Sequence, residues 1–226
     1  MELKNKRQQA MAEARRGIVM RAVRSAIAEG GVQGANVRDI ARRAGYTPGA
    51  LYAYFPGKQA LFAAVLQETL QGAQAAAQQA KVPKNNAGSS ILHVRAHAWF
   101  AYFSAHPSEA GLVLHLLAQD TTDPEQLAQT HHIVADLLQS LAPVSAALGA
   151  LGCPDAQLPS ETMALLSAAM GALLLRDARR LSALNALALQ SFATHLDHAA
   201  ARWAMAPALT AEEGQGSTPA QVDLFG

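Results

Sequence analysis

Four side chains between positions 38 and 58 are suited to binding phosphate. They are Arg38, Tyr52, Tyr54 and Lys58, and each ends in an N–H or O–H donor. Such donors bind phosphate oxygens without reading a base sequence, because every nucleotide offers the same oxygens. The chain shows no nucleophile elbow, P-loop or dinucleotide fingerprint. We therefore expect a binding protein rather than an enzyme, without a bound cofactor.

The residues around these donors predict two short helices joined by a tight turn. Asn36 is expected to cap a helix that begins at Val37, and Gly45 to end it in the left-handed conformation. Thr47 is held extended by the following proline, as an N-cap requires, and Pro48 fits the first helical position. Two short helices in this arrangement form a helix-turn-helix, whose second helix enters the major groove of DNA.

Longer helices are predicted on both sides of this motif. The one that follows is expected to begin at Lys58, after Pro56 and Gly57 end the second short helix. Its inward residues are predicted to be Leu61, Phe62, Val65, Leu66 and Leu70, and those of the helix before the motif Ile18, Ala22, Val23, Ala26 and Ile27.

Base reading by the second short helix is expected to be weak. Pro48, Gly49 and Ala50 offer no side-chain hydrogen bonds, so discrimination there would come from Thr47, from backbone groups, or from Ala50 against a thymine methyl. Arg38 would then carry more of the specificity, or DNA shape would. Three further residues stay open between a DNA contact and an ordinary structural role. These are Arg42 and Arg43, which also fit a solvated helix face, and Tyr54, which also fits a packed aromatic.

The motif as a whole resembles the DNA-binding signature of the tetracycline-repressor (TetR) family. The resemblance spans roughly residues 15 to 70 without insertion, and beyond it the chain is similar only in length and in its all-helical pattern. It implies a homodimeric transcriptional regulator, usually a repressor, whose larger C-terminal domain dimerises and often holds a small-molecule inducer. The residues that carry it are Ile40, Ala41, Ala44, Gly45, Thr47, Gly49, Leu51, Tyr52, Tyr54, Phe55, Lys58 and Leu61. The DNA-binding residues that it implies are Arg38, Thr47, Pro48, Gly49, Ala50, Tyr52, Tyr54 and Lys58.

Charge separates the chain into two regions of opposite sign. Residues 1–60 hold eleven Lys and Arg against four Asp and Glu, a net of +7, whereas the rest holds seven against thirteen, a net of −6. A basic head is attracted to the phosphate backbone and an acidic body is repelled by it. We expect an all-α protein with a basic flexible arm (1–14), a helix-turn-helix domain (15–60), a helical ligand-binding and dimerisation domain (61–209) and a disordered tail (210–226).

The last two helices are predicted over about 160–184 and 185–205, rich in Ala and Leu on more than one face. A helix that is apolar all round must be buried, and a second copy of the chain is the readiest cover. The apolar stretch 163–175 is too short to cross a bilayer. With a single cysteine, Cys153, the chain can form no intrachain disulfide, which fits a reducing cytoplasm. As a DNA-binding protein it is expected at the nucleoid.

Aromatic and histidine residues of the body are compatible with either an apolar ligand pocket or plain core. The candidate pocket residues are His97, Trp99, Phe100, Phe103 and His115. The two histidine pairs at helical spacing, His93 with His97 and His195 with His198, lack a third ligand, so no metal site is expected.

Residues 221–225 (Gln-Val-Asp-Leu-Phe) resemble the short motif with which bacterial proteins dock on the replication sliding clamp. Gln221, Leu224 and Phe225 would make that contact, since an apolar pair fills a pocket while the chain before it provides reach. A frayed terminus is the alternative. The motif keeps a second function open, that of a DNA-binding adaptor which recruits a protein partner without any inducer.

Overall fold

The chain folds into ten α-helices in a computed structural model that describes residues 2–82, 88–118, 124–177 and 182–204. Those residues contain no strand, and the predicted all-α class is confirmed. The tail 210–226, with Gln221, Leu224 and Phe225, lies outside the described residues. The helices are α1 Glu2–Gly34, α2 Val37–Ala44, α3 Pro48–Tyr52, α4 Lys58–Gln79, α5 Gly88–Ala105, α6 Pro107–Leu117, α7 Pro124–Ser140, α8 Ala142–Ala150, α9 Leu158–Asp177 and α10 Ser182–Ala204.

Helix α1 corrects the prediction of a flexible arm over residues 1–14. It begins at Glu2, so residues 2–14 are helical. The stretch holds good helix formers (Ala, Glu, Lys, Gln, Arg and Met) and no Gly or Pro before Gly17, so its charge does not prevent helix formation. Of the five residues predicted to point inward, Ala22, Val23, Ala26 and Ile27 are buried and only Ile18 is exposed, while Val19 and Met20 extend the buried face.

Helix α4 joins the N-terminal head (α1–α3) to the body (α5–α10). It begins at Lys58, and all five residues predicted to point inward are buried. Gly72 of α4 faces the Tyr102 side chain of α5, because a Cβ added at Gly72 would stand 2.1 Å from the Tyr102 hydroxyl oxygen. A side chain at this position would therefore require the Tyr102 ring to move.

The body surrounds the aromatic face of α5. Trp99 and Phe103 are fully buried against each other, with ring centroids 4.6 Å apart, and the indole N–H of Trp99 donates to Ser140 Oγ at 3.0 Å. Helix α10 runs antiparallel to α5, since Phe100 stacks on Phe192 while His93 Nε2 lies 2.8 Å from Asp197 Oδ1.

The last two helices of the described chain are α9 and α10, which were predicted over about 160–184 and 185–205. Helix α9 is described as far as Asp177 and α10 from Ser182, and residues 178–181 lie outside the described residues. Helix α9 begins at Leu158, slightly earlier than expected. By length and composition alone its segment Leu158–Leu175 would suffice to cross a membrane. Its residues Leu165 and Leu173 are buried in the core, as in a core helix of a globular domain.

A chain of ion pairs ties the head to the body. Arg24 of α1 donates through Nε to Glu109 Oε1 of α6 at 3.1 Å and through Nη2 to Glu68 Oε2 of α4 at 3.2 Å. Arg16 donates to the other oxygen of Glu68 at 3.2 Å. The Glu109 side chain is only 7% exposed and stands in the first turn of α6, where the helix dipole favours a carboxylate. Arg24 therefore neutralises a nearly buried charge as well as linking three helices.

Replacing Arg24 with Ala should lower the free energy of unfolding by about 2–3 kcal/mol, because Glu109 would be left buried without its cation. Urea unfolding of the full chain measures this. The matched control is Arg42→Ala, which removes an arginine that is 76% exposed from Asp39, a carboxylate that Arg43 still pairs, and it should cost about 1 kcal/mol or less. Equal losses in the two variants would contradict the stabilising role given to Arg24.

Candidate nucleic-acid interface

The turn between α2 and α3 has the geometry that the sequence predicts. Asn36 is extended, and its side-chain oxygen accepts from the N–H of Asp39 at 2.9 Å. Gly45 ends α2 in the left-handed conformation, with φ 75° and ψ 26°. The N–H of Tyr46 then donates to the carbonyl of Ala41 at 2.9 Å, which closes the helix end.

Helix α3 is a single short segment held from both sides. Thr47 is extended, and its Oγ1 accepts from the N–H of Ala50 at 3.2 Å, while Pro48 is the first helical residue. Leu51 is fully buried and anchors the helix to the head. The helix ends at Tyr52, earlier than the predicted end before Pro56, and the chain continues through a turn to the half-buried Phe55.

Three of the four phosphate-binding candidates line one concave surface, which we call the α2–α4 cleft. Arg38, Tyr52 and Lys58 border this open cleft of about 600 Å³, together with Gln33 and Asn36. Tyr52 is 52% exposed. Lys58 Nζ lies 3.5 Å from the carbonyl oxygen of Gln33, and within the described chain no hydrogen bond or ion pair of Arg38 is found. The cleft therefore combines a guanidinium, an ammonium and a phenol hydroxyl.

Tyr54 stands apart from this cleft. It is 60% exposed and lines a separate cavity of about 220 Å³ between α1 and α3, which we call the α1–α3 cavity. Ala50 lines the same cavity, as do Arg15 and Arg16 from α1. Helix α1 thus places both arginines beside α3.

Arg42 and Arg43 do not share one role. Arg43 is clamped, with Nη1 and Nη2 donating to the two carboxylate oxygens of Glu29 at 2.6 and 2.8 Å and Nε donating to Asp39 Oδ2 at 2.6 Å. These hydrogen bonds hold the pKa of both carboxyl groups below their usual values. Arg42 also contacts Asp39 but is largely exposed, in agreement with a solvated face. Arg43 therefore ties α1 to α2 and is not positioned to read bases.

The five candidate pocket residues do not converge on one site. Trp99 and Phe103 are packed core, and Phe100 stacks on Phe192 of α10 with ring centroids 4.7 Å apart. His115 of α6 lies instead beside Gln33 of the head, with Nδ1 3.5 Å from Gln33 Nε2. In this structure Trp99, Phe100 and Phe103 have the packed-core surroundings that the sequence left open as the alternative to a pocket, while His115 has different neighbours on α6.

The histidines of α5 and α10 give no sign of a metal site. His93 pairs with Asp197, and His97 meets the edge of the Phe192 ring at a centroid distance of 6.0 Å. Partial desolvation, together with His93, lowers the pKa of His97. Within the described residues, no group of three or more His, Cys, Asp or Glu side chains could hold a metal ion.

A capped α2, a left-handed glycine and a short α3 with an exposed face define a helix-turn-helix protein. Residues 19–65 match the family model of bacterial regulatory proteins of the tetR family. The resemblance predicted from the sequence is thus confirmed over the helix-turn-helix head, which matches the DNA-binding domain of that family.

Solved structures show the same fold over most of the chain. A TetR-family regulator from Rhodococcus sp. is 18% identical with a TM-score of 0.63, covering 83% of this chain and 99% of its own. A transcriptional regulator from Rhodococcus sp. Rha1 is 22% identical with a TM-score of 0.62, covering 85% and 99%. The regulator FadR from Bacillus subtilis, solved in complex with stearoyl-CoA, is 15% identical with a TM-score of 0.61, covering 79% and 96%. A search of curated proteins found no match.

The left-handed conformation at Gly45 gives a test of the turn. Gly45→Ala should destabilise the protein by about 1–2 kcal/mol, because a Cβ clashes with the backbone at positive φ. Thermal or urea unfolding measures the loss. Gly49→Ala is the matched control, since a Cβ at either glycine meets no atom within 4 Å and only Gly45 has a positive φ. That variant should be neutral or slightly more stable, because Ala favours helix. A similar loss at both positions would contradict the assignment.

Proposed function

We propose that the chain is a homodimeric repressor that holds a palindromic DNA operator and is released from it by a small apolar ligand. The α2–α4 cleft carries this proposal. It presents Arg38, Tyr52 and Lys58 beside an α3 whose outer face is exposed, so phosphate docking and groove entry would occur together. In this proposal residues 15–60 bind DNA, residues 61–209 dimerise and hold the ligand, and the protein acts in the cytoplasm at the nucleoid.

Each donor of the cleft has a distinct part in the docking step. Lys58 is the first residue of α4, so its ammonium adds to the positive end of that helix dipole. Its ammonium also lies 5.1 Å from the ring centroid of Phe62, which restrains the side chain near the cleft. Arg38 is the second residue of α2, and its long side chain is exposed. From this position its guanidinium can reach either a phosphate or a base edge.

Affinity and sequence selectivity would come from different residues. The head carries the net charge of +7 and supplies attraction that depends on salt. Thr47 is occupied as a cap, and Pro48, Gly49 and Ala50 bring small surfaces to the groove. Selectivity would therefore rest on Arg38, on backbone groups and on the ease with which the operator adopts the required shape.

Arg38→Ala and Lys58→Gln should each weaken DNA binding and reduce the slope of log K against log salt by about 1, because one phosphate contact is lost. Tyr52→Phe should weaken binding without changing that slope. Gel shifts on the DNA upstream of the chain's own gene, at several salt concentrations, measure both quantities. Arg202→Ala is the control, since Arg202 pairs with Glu161 in the body. Unaltered binding in Arg38→Ala and Tyr52→Phe would be incompatible with docking through the cleft.

Dimerisation is proposed through α9 and α10. Four leucines of these adjacent helices are exposed, two on each helix, with Leu187 59% and Leu174 56% exposed. Leu187 also borders an open concavity with His195 and His198 of α10. Exposed leucines concentrated on one helix pair mark an interaction surface rather than an ordinary solvated face. The four are Leu174, Leu175, Leu187 and Leu189.

Placing a charge in this surface should dissociate the dimer. Leu174→Glu and Leu187→Glu should each weaken self-association at least roughly tenfold, because a desolvated carboxylate would have no partner. Sedimentation velocity over a concentration series measures the change. Met11→Glu is the matched control, because Met11 is an equally exposed apolar residue on α1. Dimers that persist in both leucine variants would show that the subunits associate elsewhere.

The release step is supported by the family and by one solved neighbour. FadR from Bacillus subtilis was solved with stearoyl-CoA, so a protein of this fold binds an amphipathic ligand. For the present chain we propose only that binding of a ligand weakens binding of DNA by the same protein. A metabolite panel added to the gel shift identifies compounds that release the DNA.

A further inference from the structure

We propose that the α1–α3 cavity is a binding site for a small aromatic carboxylate. The cavity lies in the DNA-binding head, away from the aromatic core of the body. It is bordered by α1 on one side and by α3 with its flanking turns on the other. Side chains that line it include Arg15, Val19, Tyr46, Ala50, Tyr54 and Phe55.

The lining suits a flat apolar ligand. Val19 and Leu51 form buried walls, and the rings of Tyr46 and Phe55 are partly buried beside them. Small-molecule sites are commonly apolar concavities with few polar groups that fix orientation. An apolar cavity of about 150 Å³ holds benzene, so the 220 Å³ here has room for one aromatic ring with a short substituent.

The two arginines that line the cavity, Arg15 and Arg16, favour an anionic ligand. Arg16 is already engaged, because it pairs with Glu68 and its guanidinium lies 6.0 Å from the Phe55 ring centroid. Arg15 is exposed, and no ion pair or hydrogen bond of its side chain is found within the described residues. A guanidinium that borders an apolar cavity is complementary to a carboxylate on an aromatic ring, since it can donate two parallel hydrogen bonds. Tyr46 and Tyr54 line the same cavity, and each carries a hydroxyl that can serve as a further donor.

Occupancy of this site would act directly on DNA binding. Ala50 and Tyr54 line the cavity and also belong to the recognition segment 47–54. A bound carboxylate would neutralise Arg15 and place its own charge beside the path of the phosphates, so ligand and DNA would exclude each other. This consequence rests on the proposed function, whereas the binding of the carboxylate does not.

Calorimetric titration of the full chain with benzoate and 2-naphthoate tests the binding itself. Both should bind saturably in roughly the millimolar range, as expected for a ligand of this size. The neutral amide benzamide should bind at least about tenfold more weakly, because it lacks the charge that Arg15 recognises. Carboxylate-dependent shifts in the amide NMR signals of Ala50 and Leu51 would localise the ligand. Absence of saturable binding, or equal binding of benzamide, would overturn the proposal.

Three variants separate this cavity from other sites. Arg15→Gln should weaken carboxylate binding at least tenfold, and Ala12→Trp should abolish it by filling the cavity from an exposed position of α1. Arg21→Gln, an exposed arginine of the same helix outside the cavity, should bind as the unaltered chain does. Unchanged binding in Arg15→Gln or in Ala12→Trp would overturn the site.

A gel shift with added benzoate tests the consequence for DNA. Benzoate should release DNA from the unaltered chain and not from Ala12→Trp. Release that is equal in both would overturn direct competition. If the chain fails to bind DNA at all, the proposed function fails while the titrations still decide the carboxylate site.

Discussion

Helix α3 is too short to be stable alone, and the arrangement of the head follows from that constraint. A single turn of helix does not repay the cost of its own nucleation in water. The five residues of α3 therefore take their conformation from what surrounds them. Thr47 caps one end, Leu51 is buried beneath, and Gly45 sets the angle at which the chain arrives. The orientation of the recognition segment is thus a property of the head as a whole.

The Arg43 clamp extends this dependence to α1. Its guanidinium uses both edges, one on Glu29 of α1 and the other on Asp39 of α2. Asp39 at the same time gives its N–H to the Asn36 cap. One arginine therefore fixes the start of α2 against α1, and α2 in turn carries α3. Elsewhere on α1, Arg24 connects the head to α4 and α6 through Glu68 and Glu109.

The parts predicted correctly from the sequence are those that depend on neighbouring residues. The caps at Asn36 and Thr47, the glycine at 45 and the start of α4 at Lys58 each follow from residues within a few positions. Contacts between distant residues have no such signal. No pattern of neighbouring residues indicates that Arg24 pairs with Glu109, 85 positions away. Likewise, none indicates that Trp99 and His115 have different neighbours. The start of α1 at Glu2 follows from the helix-forming residues of that stretch, whereas its positive charge alone favours an arm.

The small residues at 49 and 50 connect the weak base-reading capacity of α3 with the two concave surfaces beside it. Short side chains leave space on either flank, and long side chains from other helices border that space: Arg38 and Lys58 at the α2–α4 cleft, Arg15 at the α1–α3 cavity. A recognition helix with this surface can bring its backbone close to the groove while cations on both sides meet the two phosphate strands. Under the proposed function, such an arrangement would discriminate by the width and curvature of the groove more than by hydrogen bonds to base edges. It also leaves one flank apolar and accessible when DNA is absent, and that flank is the place where a small ligand has space beside the recognition segment.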